Sequence, residues 1–188
     1  MTTARETSPC TMEYAKIAGT EVIVPSPKRF VREDVIMPDG YRCDWFYIDT
    51  PPSVMIVPIT EAGEVVLVRQ YRHNLRRHTL ELPAGTVDRD EDFAKAAMRE
   101  LVEETGYAPT GEMEPLSDCY SLPSETNKYT HIFRAVPVMW VGEPSGDAEI
   151  EKYFDMSVVT MPVEKALEAI GEEIISCETI TALTLACR

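Results

Sequence analysis

The chain is short of positive charge. Its 188 residues hold 18 Lys plus Arg against 32 Asp plus Glu, a formal net charge of −14. Polyanions are held mainly by basic side chains that neutralise phosphates, so nucleic acid is excluded as a partner. Any anionic ligand must instead meet a metal ion or a local basic cluster. Long apolar runs are missing as well. The longest stretch without a charged residue, Thr50 to Thr60, is eleven residues, well below the about 20 that a spanning helix needs, which excludes a membrane partner. Arg5 and Glu6 interrupt the first ten residues and no apolar run of the secretory kind follows, so the expected location is cytoplasmic. Cysteine is sparse and scattered: Cys10, Cys43, Cys119, Cys177 and Cys187 are odd in number and form no C-x-x-C pair, against a disulfide framework or a zinc site. His73, His78 and His131 show no ligand spacing and read as structural or surface residues.

Apolar residues make up 44% of the chain, enough for one good core. Residues 1 to 12 lack periodicity and are expected to fray. Strand-like runs follow at Glu21 to Val24 and Tyr41 to Ile48, separated by the turn signal Met37-Pro38-Asp39-Gly40. Ser53 to Thr60 and Glu64 to Gln70 flank Glu61-Ala62-Gly63, which predicts a hairpin. Thr79 to Leu82, Tyr129 to Trp140 and Phe154 to Met161 are further strand candidates, with Pro137 demoting part of the second to an edge or bulge. Residues 92 to 105 form the strongest helical pattern and Gly106 is placed to end it. Two shorter helices are expected over 163 to 170 and 178 to 187. Irregular interleaving of this kind predicts an α/β or α+β fold with a mixed sheet. The division expected is a strand-bearing N-terminal extension over 1–50 and a main domain over 51–188.

The long helix carries charge where core belongs. At roughly 100° per residue from Phe93, the side chains of Phe93, Ala94, Ala97, Met98, Leu101 and Val102 spread over one apolar arc from about 0° to about 180°. Glu100 and Glu104 fall within about 20° of Phe93 on that wheel, whereas Glu103 lies about 80° outside the arc. Two like charges overlapping the edge of a buried face are costly unless something positive compensates them, and a divalent cation bound by oxygens does so. A solvated glutamate-rich face is the ordinary alternative.

The spacing decides between the two. Gly85, five residues, Glu91, seven residues, then Arg99-Glu100-Leu101-Val102-Glu103-Glu104-Thr105-Gly106-Tyr107 resembles the Nudix box, G-x5-E-x7-R-E-U-x-E-E-x-G-U, with Tyr107 in place of the usual aliphatic residue. Together with Val66 to Arg72 and Glu81-Leu82-Pro83-Ala84-Gly85, the chain is similar to the ADP-ribose and nucleoside-diphosphate-sugar pyrophosphatase branch of that family. The resemblance implies an α/β/α sandwich that hydrolyses the diphosphate linkage of ADP-ribose or a nucleoside diphosphate hexose, giving a nucleoside monophosphate and a sugar phosphate. It implies Mg²⁺, with Mn²⁺ as a substitute, held by Glu100, Glu104 and the Ala84 carbonyl, and Glu103 as an additional or water-mediated ligand. Arg99 would orient a glutamate and Glu91 would anchor the loop before the helix. It also implies a general base from the acidic loop Asp147-Ala148-Glu149-Ile150-Glu151, Glu149 first and Glu151 second, with Glu103 as the fallback. Hydrolysis of a dinucleoside polyphosphate or nucleoside triphosphate, or a non-catalytic nucleotide-sugar sensor, are the alternatives.

Substrate contacts are read from residue type. Arg69, Arg72, Arg76 and Arg77 form a basic patch on an acidic chain, and guanidinium forks suit phosphate oxygens; Arg72 leads, followed by Arg69, with pairing to a surface carboxylate as the ordinary alternative. Pro123, sixteen residues past Tyr107, occupies a position where the family commonly sets substrate choice, although Ser124 replaces the glycine that usually follows. Trp45, Phe46 and Tyr41 could stack on a base, though strand alternation places one or two of them in the core; Phe30 and Tyr14 are weaker candidates. The N-terminal strands, residues 30 to 50 in particular, imply a homodimer in which one chain closes its partner's nucleotide site.

Overall fold

A computed structural model describes residues 16–24, 29–145 and 155–188. The chain divides into two units, one of residues 1–50 with 124–126, the other of residues 51–123 with 127–188.

The first unit is an antiparallel sheet of β1 (Lys16–Val24), β2 (Arg29–Ile36) and β3 (Arg42–Asp49), in that order. The expected turn joins β2 to β3, with the Gly40 N–H donating to the Met37 carbonyl at 2.9 Å and Gly40 at φ +86°. Strand β2 was not expected, because Arg32-Glu33-Asp34 breaks its apolar pattern. Cross-strand ion pairs replace that pattern: Arg32 reaches Glu21 at 2.8 Å on one side and Asp44 at 3.8 Å on the other, and Arg42 pairs with Asp34. Opposite charges across a ladder stabilise it much as apolar pairs do. Only Val31 and Val35 of this sheet are buried; Tyr41, Trp45 and Phe46 are all exposed. The expectation that one or two of those aromatics enter a core is therefore corrected: the buried positions of this sheet are Val31 and Val35 of β2, and β3 presents Trp45 and Phe46 to the surface.

The second unit contains β4 (Ser53–Thr60), β5 (Glu64–Arg72), β6 (Arg77–Glu81), β7 (Ala84–Thr86), α1 (Phe93–Thr105), β8 (Tyr107–Pro109), β9 (Glu114–Tyr120), β10 (Tyr129–Trp140), β11 (Ser157–Pro162), α2 (Val163–Glu168) and α3 (Cys177–Ala186). The sheet runs β11-β5-β4-β10-β8, with β6 on β5, β7 on β4 and β9 on β10. The β4–β10 pair is parallel and its neighbours are antiparallel, so the sheet is mixed as expected. Its two faces bury separate clusters. Met55, Leu67, Ile132 and Leu183 pack among α2 and α3, and Val54, Ile56, Val66, Leu101 and Phe133 pack against α1. Helices cover both faces, which is the α/β/α sandwich. Strands β8 and β9 were not expected, and β11 starts after Phe154, which lies outside the described residues. Pro137 falls where the β10 register shifts between Ala135 and Val138, a bulge in a strand that is paired on both sides. No helix among the described residues is long and apolar enough to cross a membrane.

One irregularity shapes the site. Strands β4 and β5 share a single Cα pairing, Ile59 with Val65, and then separate, β7 continuing beside β4 and β6 beside β5. The sheet is therefore split, and the turn Leu82-Pro83 crosses the split from β6 to β7, with the Ile56 N–H donating to the Pro83 carbonyl at 3.0 Å.

Candidate active site

Helix α1 is fixed at both ends. The Asp92 carboxylate accepts from the Ala94 and Lys95 N–H groups at 3.0 and 3.2 Å, and Gly106 closes the last turn at φ +71°, its N–H on the Val102 carbonyl. Only glycine fits there, because an added Cβ would stand 1.9 Å from the Gly142 carbonyl oxygen. The buried residues are Ala96, Ala97, Leu101 and Thr105. On the helical wheel they span from about −60° to about 120°, so Glu100 and Glu104, at about −20° and 20°, lie inside the buried arc rather than at its edge. Ala94 and Met98, expected within the apolar arc, are exposed, because the sheet sits on the side that the glutamates share.

Both glutamates meet the turn after β6. The Glu100 carboxylate lies where a Cβ on Gly85 would be, at 1.9 to 2.2 Å from its three carboxyl atoms, so the missing side chain at position 85 is the room that Glu100 occupies. Glu104 accepts the Ala84 N–H at 3.0 Å. Arg99 ties the remaining carboxylates together. Its guanidinium donates to both oxygens of Glu91 at 3.1 and 2.9 Å, to Glu100 at 2.8 Å, to Glu103 at 3.1 Å and to the Thr86 carbonyl at 3.2 Å. Hydrogen bonding to Glu91 foremost raises the Arg99 pKa, and the Arg99 contact, followed by the Asp88 N–H, holds the Glu91 carboxyl below its usual range.

Among the described residues no three His, Cys, Asp or Glu side chains converge on one point, because Glu103 turns to Arg99 and Glu104 to a backbone N–H. The donors nonetheless suit a hard cation. They are carboxylate oxygens on one helix beside a backbone turn, one of them lodged in a space that glycine alone leaves open, and Mg²⁺ takes such oxygens together with waters.

Arg72 lies at the split on the face shared with α1. Strand alternation places it with Val66 and Val68, whereas Arg69 aligns with Leu67 on the α3 face, so the two do not approach one site together. Arg72 forms a fork with Glu81, Nε to Oε1 at 2.8 Å, and Thr79 donates to the same carboxylate at 2.6 Å. Burial pushes the Glu81 carboxyl up, but the bonds from Arg72 and Thr79 outweigh it and hold it below the usual range. Two of the five Arg72 donors are thereby used, which leaves three. The Arg72 guanidinium also feels Glu104 and Glu178, so carboxylates from both helical layers meet at the split. The other basic residues are engaged elsewhere: Arg76 hydrogen-bonds His73, and Arg77 donates to the Glu172 carbonyl at 2.9 Å.

Pro123 lines a cavity of about 430 Å³ with Tyr120, Ser121, Leu122, Ser176 and Glu178 among its walls. Trp45 is on the exposed surface of the N-terminal sheet. Asp147, Glu149, Glu151 and Tyr14 lie outside the described residues. Sequence reasoning quoted Glu81 within the run Glu81 to Gly85 without giving it a role, and missed Glu178 and Thr179. The Glu81 signal was available as a buried-type carboxylate two residues from a proline turn, whereas nothing local distinguishes Glu178.

Residues 49–176 match the NUDIX domain. The chain is 28% identical to an ADP-ribose pyrophosphatase of Bacillus subtilis over 80% of each chain, and 30% identical to a methanol dehydrogenase activator of Bacillus methanolicus, also over 80% of each. It is 35% identical to an ADP-sugar pyrophosphatase of Mus musculus over 64% of this chain and 59% of that one. A crystal structure of an ADP compounds hydrolase superposes with a TM-score of 0.78 over 93% of both chains at 23% identity, a likeness of fold.

Proposed function

This chain belongs to the Nudix family of hydrolases, and on that premise we propose that it cleaves the diphosphate linkage of a nucleoside diphosphate sugar, ADP-ribose foremost, in a reaction dependent on Mg²⁺. The observation that carries the reading is the pair Glu100 and Glu104 inside the buried arc of α1, packed on Gly85 and Ala84. Carboxylates are placed there at a cost that cation binding offsets. Glu100, Glu104, Glu103 and the Ala84 carbonyl would hold the cation. When bound, it neutralises diphosphate oxygens and lowers the pKa of an attacking water.

The chain's own residues do the rest. Arg99 holds Glu91, Glu100 and Glu103 in one hydrogen-bonded set, which keeps the ligating oxygens in place before substrate arrives. Arg72, preset by Glu81, offers its remaining N–H groups to phosphate, and its fork orients it more than it consumes it. Pro123 walls the cavity where the substrate's flank would be selected. Glu149, then Glu151, is the proposed proton acceptor, with Glu103 as the fallback. Trp45 is proposed to stack on the nucleobase of a site in a homodimer, a role its exposure permits.

Incubation with ADP-ribose and Mg²⁺ tests this directly, with products resolved by chromatography. AMP and ribose 5-phosphate in equal amounts, abolished by chelation, support it; intact ADP-ribose with preferential cleavage of a dinucleoside polyphosphate or a nucleoside triphosphate overturns it.

A further inference from the structure

The first turn of α3 reaches two segments that the sequence keeps far apart. Glu178 accepts at Oε1 from the Ser121 hydroxyl, from Thr130 Oγ1 at 2.9 Å and from Lys128 Nζ at 3.2 Å. A threonine hydroxyl has one proton, so Thr130 gives it to Glu178 and takes the Ser53 proton across 2.8 Å. Ser121 and Lys128 are the two ends of the connection between β9 and β10 that contains Pro123, and its neck is closed by the Ser121 N–H on the Lys128 carbonyl at 3.4 Å. Glu178 thus holds both legs of that connection and forms part of the Pro123 cavity wall. The next residue, Thr179, is fully buried and accepts the Leu82 N–H at 3.3 Å, two positions before the Ala84 carbonyl. Burial pushes the Glu178 carboxyl up, but the Ser121, Lys128 and Thr130 contacts outweigh it and keep the group ionised. All three donors therefore face a full negative charge, which makes these the stronger kind of hydrogen bond.

We propose that Glu178 is a positioning residue that fixes the Ser121 to Thr130 connection, and with it Pro123, for recognition of the substrate's sugar-bearing flank, while the adjoining Thr179 fixes the Leu82 to Gly85 turn. The proposal rests on the pyrophosphatase reading above. It assigns to α3, which begins where the family match ends at residue 176, the registration of the two halves of the site. Neither residue touches the reacting atoms, so the two variants should separate recognition from cation binding.

The test compares Glu178→Gln and Thr179→Val in the full chain by peptide-resolved hydrogen exchange, steady-state kinetics on ADP-ribose and an ADP-hexose, and Mn²⁺ affinity measured by calorimetry without substrate. For Glu178→Gln, exchange over residues 121–130 should quicken by at least about fivefold. Its KM for ADP-ribose should rise about tenfold with kcat within about threefold, and the preference between the two sugars should shift. Thr179→Val should leave that exchange and KM unchanged and weaken Mn²⁺ binding by about threefold or more. If Glu178→Gln fails to fold, Ser121→Ala removes one leg's contact and should move exchange and KM the same way by less. Wild-type exchange and KM in Glu178→Gln overturn the proposal, as does a loss confined to kcat. A wild-type protein that cleaves no nucleoside diphosphate sugar sinks the pyrophosphatase reading instead, and the exchange and Mn²⁺ arms still decide whether α3 registers the two segments.

Discussion

The two sheets of this molecule are built from the same backbone geometry and opposite side-chain chemistry. In the core sheet, seven of the eight β4 residues are buried, from Ser53 to Ile59, and helices close over both faces. In the N-terminal sheet all nine residues of β1 are exposed, the rungs are ion pairs, and Phe30 stacks on Phe46 at 5.9 Å on an open surface. The core sheet is a scaffold stable by its own burial, able to carry the cost of carboxylates inside the arc of α1. Among the described residues, the N-terminal sheet leaves the nine-residue edge of β1 unpaired and exposes a row of apolar side chains, features that proteins usually cover. The buried clusters and the carboxylates of α1 reside in one unit, and the exposed aromatics Tyr41, Trp45 and Phe46 in the other.

The most severe way to sharpen that contrast is Glu104→Gln. It should lower kcat at least about a hundredfold while circular dichroism and thermal midpoint stay those of the wild type, since the variant removes a charge proposed to hold the cation and no packing is lost. Turnover near the wild-type value would remove the chemistry from the core unit. Next in size is Gly85→Ala, whose Cβ would collide with the Glu100 carboxylate. The clash is with the far end of a flexible side chain, so the glutamate should swing away, dropping activity about tenfold with little change in melting temperature. Equal losses of activity and stability would show that Gly85 serves the fold.

The N-terminal sheet is addressed by mass. Light scattering should give twice the 21.1 kDa chain, and replacing Trp45 and Phe46 with serine should return the single-chain mass without lowering the core's thermal midpoint; a wild-type monomer refutes the dimer. Smaller still is a pH effect within the core. Because the folded Glu81 carboxyl titrates below its unfolded value, its stabilisation is present above the unfolded pKa of about 4.3 and is lost as the pH falls through the folded value. Arg72→Met leaves burial as the dominant influence, so acid unfolding followed by circular dichroism should begin at higher pH than in the wild type; an unchanged midpoint would separate the two groups. The smallest effect is that of salt. Raising NaCl to about 0.5 M should modestly speed hydrogen exchange over residues 29–49 and leave residues 53–60 untouched, since exposed ion pairs are screened and buried apolar rungs are not.

The same contrast explains what could be read from the sequence. Helix α1, its Gly106 cap and the glutamate pair were legible because their signals are local and periodic, and Arg99 was legible through its spacing. The wheel misplaced Met98 because it counts apolar side chains, whereas Thr105 is buried with its hydroxyl satisfied by the Leu101 carbonyl. Strand β2 was illegible because its pairing energy comes from charges on neighbouring strands, which no window along one strand reveals. Arg72 was singled out by residue type, but its partner Glu81 depends on the register of β5 with β6. Glu178 and Ser121 are 57 residues apart, and only the folded chain brings them within a hydrogen bond.

The parallel pairing of β4 with β10 carries a kinetic consequence. Ser53 and Thr130 are 77 residues apart, and the segment between them contains α1 and both sides of the split. Closing a loop of that length is entropically expensive, and contacts of such sequence separation slow folding. The glutamates of α1 therefore lie inside a long loop that the β4–β10 pairing closes. On a ribosome, β4 must wait for β10, and the core that α2 and α3 complete forms later still, so catalytic competence should emerge together with the completed core rather than before it.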